Sequence, residues 1–322
     1  MRSLVLTVLV LAVLLLQGCT LVDIELQPRI RPLREETVEG EGKAKILLMD
    51  VSGVLADETG SVVLGTPPPR VPIVARVREE LQKAEDDDEV RALIVRINSP
   101  GGTITASDLI YREIEVFKTR RKVPVITIMM DVAASGGYYA ALAGDTIMAL
   151  PTTVTGSIGV VMLTVNAQGL MEKIGVAPLA IKSGAMKDAG SPFRPLTEQE
   201  RAVFQSVIDQ MYTRFVSLIV RSRRMPEEKV RAAADGRIYT AEQAKALGLV
   251  DEIGYMDDAV AAARKAAGVA QARVVMYHRP KEYRSNYYST APAPTPGVDT
   301  TLQQLTALVN GSGARFLYLW WP

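Results

Sequence analysis

The chain has 322 residues, 48% of them hydrophobic, and a formal net charge of +1 from 37 basic and 36 acidic residues. It can therefore form a substantial buried core, and it has no excess of positive charge that would attract nucleic acid. Because Cys19 is the only cysteine, an intramolecular disulfide and a cysteine-based metal site are both excluded.

The amino terminus has the parts of an export signal, namely Arg2, an apolar run over residues 4–16, and the segment Gln17-Gly18-Cys19 at the expected cleavage site. A membrane-spanning helix needs about 20 apolar residues, so an uncleaved anchor is the weaker alternative. The ending Leu16-Gln-Gly-Cys19 resembles the lipobox of bacterial lipoproteins, in which cleavage precedes the cysteine and its thiol receives lipid. We expect a lipoprotein signal peptide at residues 1–18, lipidation at Cys19, and a tether over residues 19–42 that holds the protein to a membrane of the cell envelope, on its extracytoplasmic side.

Buried-strand patterns alternate with helical patterns through the first half of the chain. Strands are predicted at residues 45–51, 91–97 and 123–130, and an amphipathic or apolar helix follows each of them. This alternation favours a parallel α/β sheet, in which ligands bind beyond the carboxyl ends of the strands. Gly102 and Ser135 both lie at such ends.

The second half of the chain continues this pattern and then changes. Further strands are predicted at residues 146–150, 158–165 and 178–182, and capping boxes at Thr197 and Thr240 begin two helices. Gly248 is placed to end the second helix.

Beyond residue 280 an Ala/Pro spacer leads to an aromatic cluster at residues 316–321, which could dock on the core, rest at a lipid interface or enter a peptide groove. Docking on protein is favoured.

Ser135 lies among small residues, and the single histidine, His278, is distant in sequence, so a serine hydrolase built here would need lysine as its base. Lys187 in a glycine-rich loop could serve if its surroundings favour the neutral amine. Ser157 could orient that amine. Gly136 with Gly101 or Gly102 could donate backbone N–H groups to an oxyanion. Taken singly, each residue also has an explanation without catalysis. Ser135 could be an ordinary turn residue, Lys187 a surface charge, and the glycines ordinary loop residues.

Together the residues form four motifs in order: Asn98-Ser-Pro-Gly-Gly102, Ala133-Ala-Ser-Gly-Gly-Tyr-Tyr139, Thr155-Gly-Ser-Ile-Gly-Val160, and the segment from Ser183 to Pro192. From about residue 46 to residue 275 the chain resembles the signal peptide peptidase A family of bacterial serine proteases, in its smaller single-domain form. The resemblance implies that Ser135 is the nucleophile, Lys187 the general base and Ser157 the residue that orients the lysine. Gly102 and Gly136 would then donate to the oxyanion.

The resemblance also implies a Clp-protease/crotonase-like α/β fold of repeated β-β-α or βα units, with one catalytic domain at residues 43–279 and a tail at residues 280–322. Family members form homo-oligomeric rings, and serine and lysine can come from neighbouring subunits. We expect a membrane-tethered serine endopeptidase that degrades apolar peptides, such as released signal peptides, through an acyl-enzyme and without a cofactor or metal. The alternatives are a crotonase-like acyl-thioester enzyme and a non-catalytic envelope scaffold. The tail could occupy the substrate groove.

Overall fold

The structure, a computed structural model, describes residues 32–56, 71–279, 286–288 and 315–320. The predicted signal peptide and Cys19 lie outside these residues. The strands are β1 (Arg34–Glu39), β2 (Lys45–Ser52), β3 (Val90–Ser99), β4 (Gly101–Thr103), β5 (Val125–Ala134), β6 (Thr146–Ala149), β7 (Val154–Gly156), β8 (Val161–Leu163), β9 (Ile238–Thr240), β10 (Glu252–Ile253), β11 (Arg273–His278) and β12 (Arg315–Leu319). The helices are α1 (Ile73–Glu85), α2 (Ile104–Arg121), α3 (Gly136–Ala141), α4 (Gln168–Lys173), α5 (Glu198–Arg223), α6 (Glu227–Ala233), α7 (Ala241–Ala246) and α8 (Met256–Ala267).

The main sheet has the strand order β1-β11-β2-β3-β5-β6-β10, and β7 extends it by pairing with the end of β5 and with β9. Its central strands are parallel, whereas β1 and β9 are antiparallel to their neighbours. A second, three-stranded sheet has the order β4-β12-β8 and is antiparallel. The predicted α/β architecture with a mostly parallel sheet is confirmed.

Both faces of the main sheet are buried. In β2, Leu47 and Met49 pack into one apolar cluster with residues of α1, α2, α3 and α5, whereas Ile46 and Leu48 pack into a second cluster with α8. Successive side chains of a strand point to opposite faces, and helices here cover each face. The continuous apolar run of β2 is therefore the pattern expected of a central parallel strand.

The helix signals in the sequence are confirmed at two positions. Thr197 and Thr240 each accept a hydrogen bond from the third backbone N–H of the helix that follows, and each forms a complete capping box. Gly248 has φ +78° just beyond α7, a conformation that glycine adopts without steric cost.

Two expectations about elements were wrong. Residues 34–39, assigned to the tether, form edge strand β1, which pairs with β11, and Glu35 makes a 3.0 Å ion pair with Lys45. The polar sequence concealed this strand because most of its side chains are exposed at the edge of the sheet. Residues 178–182 form no strand, and Leu179 and Ile181 there are 87% and 96% exposed. Within the described residues, these two apolar side chains are therefore left almost fully open to solvent.

Among the helices in the described part of the chain, none combines the length and the apolar character required to cross a membrane.

Candidate active site

Ser135 occupies a strained turn between β5 and α3. Its φ of +52° and ψ of −112° lie in a sparsely populated region for a residue with a side chain. The backbone holds this conformation through two hydrogen bonds: the Ser135 N–H donates to the Gly156 oxygen at 2.8 Å, and the Tyr139 N–H donates to the Ser135 oxygen at 2.9 Å. Ser135 is only 1% exposed. The turn thus fixes one buried serine at the carboxyl end of a central strand.

Ser157 occupies the corresponding position on the neighbouring strand. Strands β5 and β7 are parallel, and Ala134 of β5 pairs with Gly156 of β7. Ser135 directly follows Ala134, and Ser157 directly follows Gly156. Ser157 also has a positive φ, +49°, and its N–H donates to the Arg237 oxygen at 2.7 Å. The structure therefore brings Ser135 and Ser157 to the same end of adjacent strands.

The glycine loop before α2 contacts the Ser135 turn. Gly101 has φ +102°, and a Cβ atom added to it would lie 2.8 Å from the Gly136 nitrogen. The Gly101 N–H donates to the Ser99 hydroxyl at 3.1 Å, and that hydroxyl donates to the Gly53 oxygen at 2.6 Å. A side chain at position 101 would force the two loops apart.

The direction of the Gly102 N–H follows from the bonds of its neighbours. On one edge of β4, the Leu55 N–H donates to the Gly101 oxygen and the Thr103 N–H donates to the Leu55 oxygen, both at 2.8 Å. Backbone groups of successive residues in a strand point to opposite edges, so the Gly102 N–H points to the other edge. That edge holds β12, with Tyr318 paired to Gly102.

Strand β12 lies in a groove between β4 and β8 and is antiparallel to both. The Trp320 N–H donates to the Pro100 oxygen at 2.8 Å, so by the two-residue alternation of an antiparallel ladder Tyr318 and Gly102 form the next hydrogen-bonded pair. The Tyr318 carbonyl oxygen would lie 2.0 Å from a Cβ atom added to Gly101 and 3.1 Å from one added to Gly136. One carbonyl of a bound, extended segment is thus positioned beside both predicted oxyanion donors.

The Tyr318 side chain fills an aromatic pocket. Its ring stacks on Tyr139 at 5.2 Å and lies 4.7 Å from Phe215. Its hydroxyl donates to the Met211 carbonyl oxygen at 2.8 Å. Burial raises the pKa of Tyr318. The pocket therefore accepts a large apolar ring and gives its one polar atom a partner.

Lys187 is exposed in a turn, where its N–H donates to the Gly184 oxygen at 3.1 Å. Within the described residues, no hydrogen bond joins its amine to Ser135 or to Ser157. The structure therefore assembles the two serines, Gly102 and Gly136 in one chain, and leaves the predicted base on the surface.

An ion-pair network holds the loop that carries Lys187. Arg194 donates to Asp188 at 2.8 Å and to Glu200 at 3.0 Å, and Lys182 donates to Asp188. Glu200 is buried at the start of α5, where its carboxylate accepts from the Thr197 N–H at 3.0 Å. Hydrogen bonds from Arg194 and then from the Thr197 backbone lower the pKa of Glu200 to about 2. The sequence showed Glu200 as part of a capping box, but it gave no signal for its ion pair with Arg194.

The fold and the site together define a Clp-protease-like serine peptidase. The family model described as Clp protease matches residues 48–156, and that of peptidase family S49 matches residues 118–270. A protein from Enterococcus faecium named as a signal peptide peptidase, SppA, is 38% identical over 246 residues, which are 76% of this chain and 70% of that protein. The chain belongs to peptidase family S49 and is a serine endopeptidase. The predicted family, fold class and enzyme class are confirmed.

Longer relatives match as well. The chloroplastic serine protease SPPA of Arabidopsis thaliana is 34% identical over 82% of this chain and 39% of its own length. Protease 4 of Salmonella typhi is 33% identical over 72% of this chain and 35% of its own length. The chain therefore spans less than half of these two proteins. A solved ClpP1 variant from Listeria monocytogenes aligns with 66% of this chain and 94% of its own, at 20% identity and a TM-score of 0.43.

Proposed function

We propose that the chain cleaves extended apolar peptides with Ser135 as nucleophile and Lys187 as general base. The observation that carries this proposal is the position of β12, an extended segment with one carbonyl beside Gly101 and Gly136 at the Ser135 turn. A substrate peptide lying in the same place would present its scissile carbonyl to a buried serine and to two backbone donors.

The chemistry then follows in two steps. Lys187 takes the proton of the Ser135 hydroxyl as its oxygen attacks the carbonyl, and the N–H groups of Gly102 and Gly136 stabilise the resulting oxyanion. The intermediate collapses when the lysine returns the proton to the departing amine, which leaves an acyl-enzyme. A water molecule, deprotonated by the same amine, hydrolyses the ester and frees Ser135. One N–H of the neutral amine donates to the Ser157 hydroxyl oxygen, which holds the amine in position and leaves its lone pair free to accept the Ser135 proton.

The proposed lysine comes from a second copy of the chain. Lys187 lies on the surface, and apolar side chains nearby in sequence are also exposed, among them Ile174, Val176, Leu179 and Ile181. Exposed apolar surface of this kind commonly marks an interface, and a neighbour that covers it would also place Lys187 in a new environment. A desolvated amine is more readily neutral, which is what a lysine base requires. The active form is therefore a homo-oligomer, consistent with the ring expected from the family resemblance.

Released signal peptides are the proposed substrates, and the cell envelope the proposed location. The groove buries apolar side chains, and the Enterococcus faecium relative is named for signal peptides. Lipid on Cys19 would hold the site at the membrane surface where such peptides are released. Incorporation of a radiolabelled fatty acid in the producing bacterium tests the anchor: label is expected in the intact chain and absent from Cys19→Ser.

Hydrolysis of a quenched fluorescent apolar peptide by the purified oligomer tests the two catalytic roles. Ser135→Gly removes the hydroxyl and accepts the positive φ, and Lys187→Arg keeps the charge but cannot act as a base near neutral pH. We expect each change to lower kcat/KM by about 10³-fold or more. Lys173→Arg, an exposed lysine on α4, is the control. Full activity of the Lys187→Arg enzyme would contradict the assigned base.

A further inference from the structure

We infer that residues 315–319 are a built-in competitor that occupies the peptide groove of the enzyme and must leave before a substrate binds. This inference rests on the proposed function in taking the groove as the substrate groove. The main argument is that β12 uses both edges of the groove: Tyr318 pairs with Gly102 of β4, and Phe316 pairs with Met162 of β8. Both groove-facing strand edges among the described residues, those of β4 and β8, are thus already paired and cannot accept a second peptide.

The side chains of β12 make contacts on both of its faces. On one face Phe316 approaches Phe204 at 6.4 Å and Tyr318 enters its aromatic pocket. On the other face Leu317 and Leu319 are 2% and 7% exposed and pack in a cluster completed by Val54, Ala56 and Val161. A segment with this alternation and this burial is held as a substrate would be, and it is not merely covering an open surface.

The same contacts describe the substrate class that the groove selects. Tyr318 supplies the carbonyl beside the donor glycines, so its pocket receives the residue on the amino side of the bond to be cleaved. That pocket has aromatic walls from Tyr139 and Phe215 and one acceptor, the Met211 oxygen. Tyrosine meets both features, whereas phenylalanine fills the same aromatic walls without the hydrogen bond to the Met211 oxygen.

Competition within the chain has a defined kinetic signature. A tethered occupant raises the apparent KM for an external peptide, by a factor set by the ratio of chains with an occupied groove to chains with an open groove. It leaves kcat unchanged, because a substrate that has bound is processed as before. Removal of the occupant therefore lowers KM. The main-chain ladder and the Tyr318 pocket together lead us to expect a change of about tenfold.

The test compares four proteins: the full chain, a chain that ends at Ala314, the Tyr318→Ala variant and the Tyr288→Ala variant. Tyr288→Ala is the matched control, because Tyr288 is a tail tyrosine that is 52% exposed. The probe is a fluorescein-labelled peptide with the sequence of residues 313–322, and its binding is followed by anisotropy on a Ser135→Gly background so that it is not hydrolysed. We expect the truncated chain to bind the probe about tenfold more tightly than the full chain, the Tyr318→Ala chain to fall between them, and the Tyr288→Ala chain to match the full chain.

Circular dichroism checks that each variant is folded. If the truncated chain melts early, added peptide is expected to raise its melting temperature, since the peptide replaces β12; absence of both binding and thermal rescue would overturn the inference. Equal probe affinity of the full and truncated chains would also overturn it. The binding assay does not depend on turnover. If no variant hydrolyses peptides, the proposed function is refuted. The binding assay still tests whether residues 315–319 compete for the groove.

Discussion

Ser135 and Ser157 each follow one member of a residue pair, Ala134 and Gly156, that joins two parallel strands, and both serines have positive φ. Both serines therefore hold a backbone conformation that favours glycine, at the ends of adjacent strands. This indicates that the site retains their hydroxyl groups at the cost of backbone strain. The arrangement gives Ser157 a place within the site that its sequence motif alone did not establish.

Comparison of Ser157→Gly with Ser157→Ala separates the role of the hydroxyl from that of the backbone. Glycine relieves the strain at φ +49° and alanine does not, but both lack the hydroxyl. We expect both variants to lose about 10²-fold in kcat. Because the hydroxyl oxygen accepts from the amine and orients it without contacting the peptide, its loss is expected to lower kcat and to leave KM nearly unchanged. Full activity in Ser157→Gly, or a loss confined to KM, would refute the orienting role.

Gly101→Ala tests the contact between the glycine loop and the Ser135 turn. Its Cβ would lie 2.0 Å from the oxygen of a carbonyl placed as that of Tyr318 and 2.8 Å from the Gly136 nitrogen. We expect a loss of about 10²- to 10³-fold in kcat/KM, since the carbonyl is displaced from its donors. Gly159→Ala is the control, because its nearest neighbour would be 3.7 Å away. Comparable kinetics for the two variants would argue against a carbonyl position at this loop.

The sequence predicts the central sheet well because its strands are buried on both faces, as in β2, where the apolar run leaves little ambiguity. The small-residue motif of Ser135 also predicts that this serine follows a strand, whereas the position of Ser157 at the end of β7 comes from the structure. Edge strand β1 was missed because a polar edge strand has the composition of a loop. The position of β12 was left open, since pairing between residues 102 and 318 depends on tertiary structure and not on any local pattern.

The Arg194 network gives a stability prediction with a defined pH window. The pKa of Glu200 is lowered from 4.5 to about 2, so its contribution to folding is complete above 4.5 and is lost as pH falls through about 2. We expect Arg194→Met to lower the urea midpoint at pH 7 and the difference from wild type to shrink between pH 4.5 and pH 2. Arg201→Met, at a 63% exposed side chain, is the matched control.

Arg194→Met is also expected to lower kcat about tenfold, because the loop carrying Lys187 loses its attachment to α5. Urea titrations and peptide hydrolysis of the same preparations measure both effects. A stability difference that persists unchanged at pH 2 would contradict the assigned ionic contribution of Glu200.

Subunit complementation tests whether the base comes from a neighbouring chain. Ser135→Ala and Lys187→Ala proteins are each expected to be inactive, and an equal mixture, dissociated and reassembled, is expected to regain about a quarter of wild-type activity. This fraction is the chance that one interface combines an intact serine from one chain with an intact lysine from the other. Absence of recovery, with wild-type protein regaining activity under the same treatment, would place both residues in one chain.

Labelling with a fluorophosphonate, a reagent that reacts with activated serine hydroxyls, tests the central claim most directly. The account predicts one labelled residue per chain, Ser135, identified by peptide mass mapping. Labelling is expected to be lost in Ser135→Gly, strongly reduced in Lys187→Arg and retained in Ser183→Ala, an exposed serine of the lysine loop. Undiminished labelling of the Ser135→Gly protein would contradict the account, because the activated serine would then lie elsewhere in the chain.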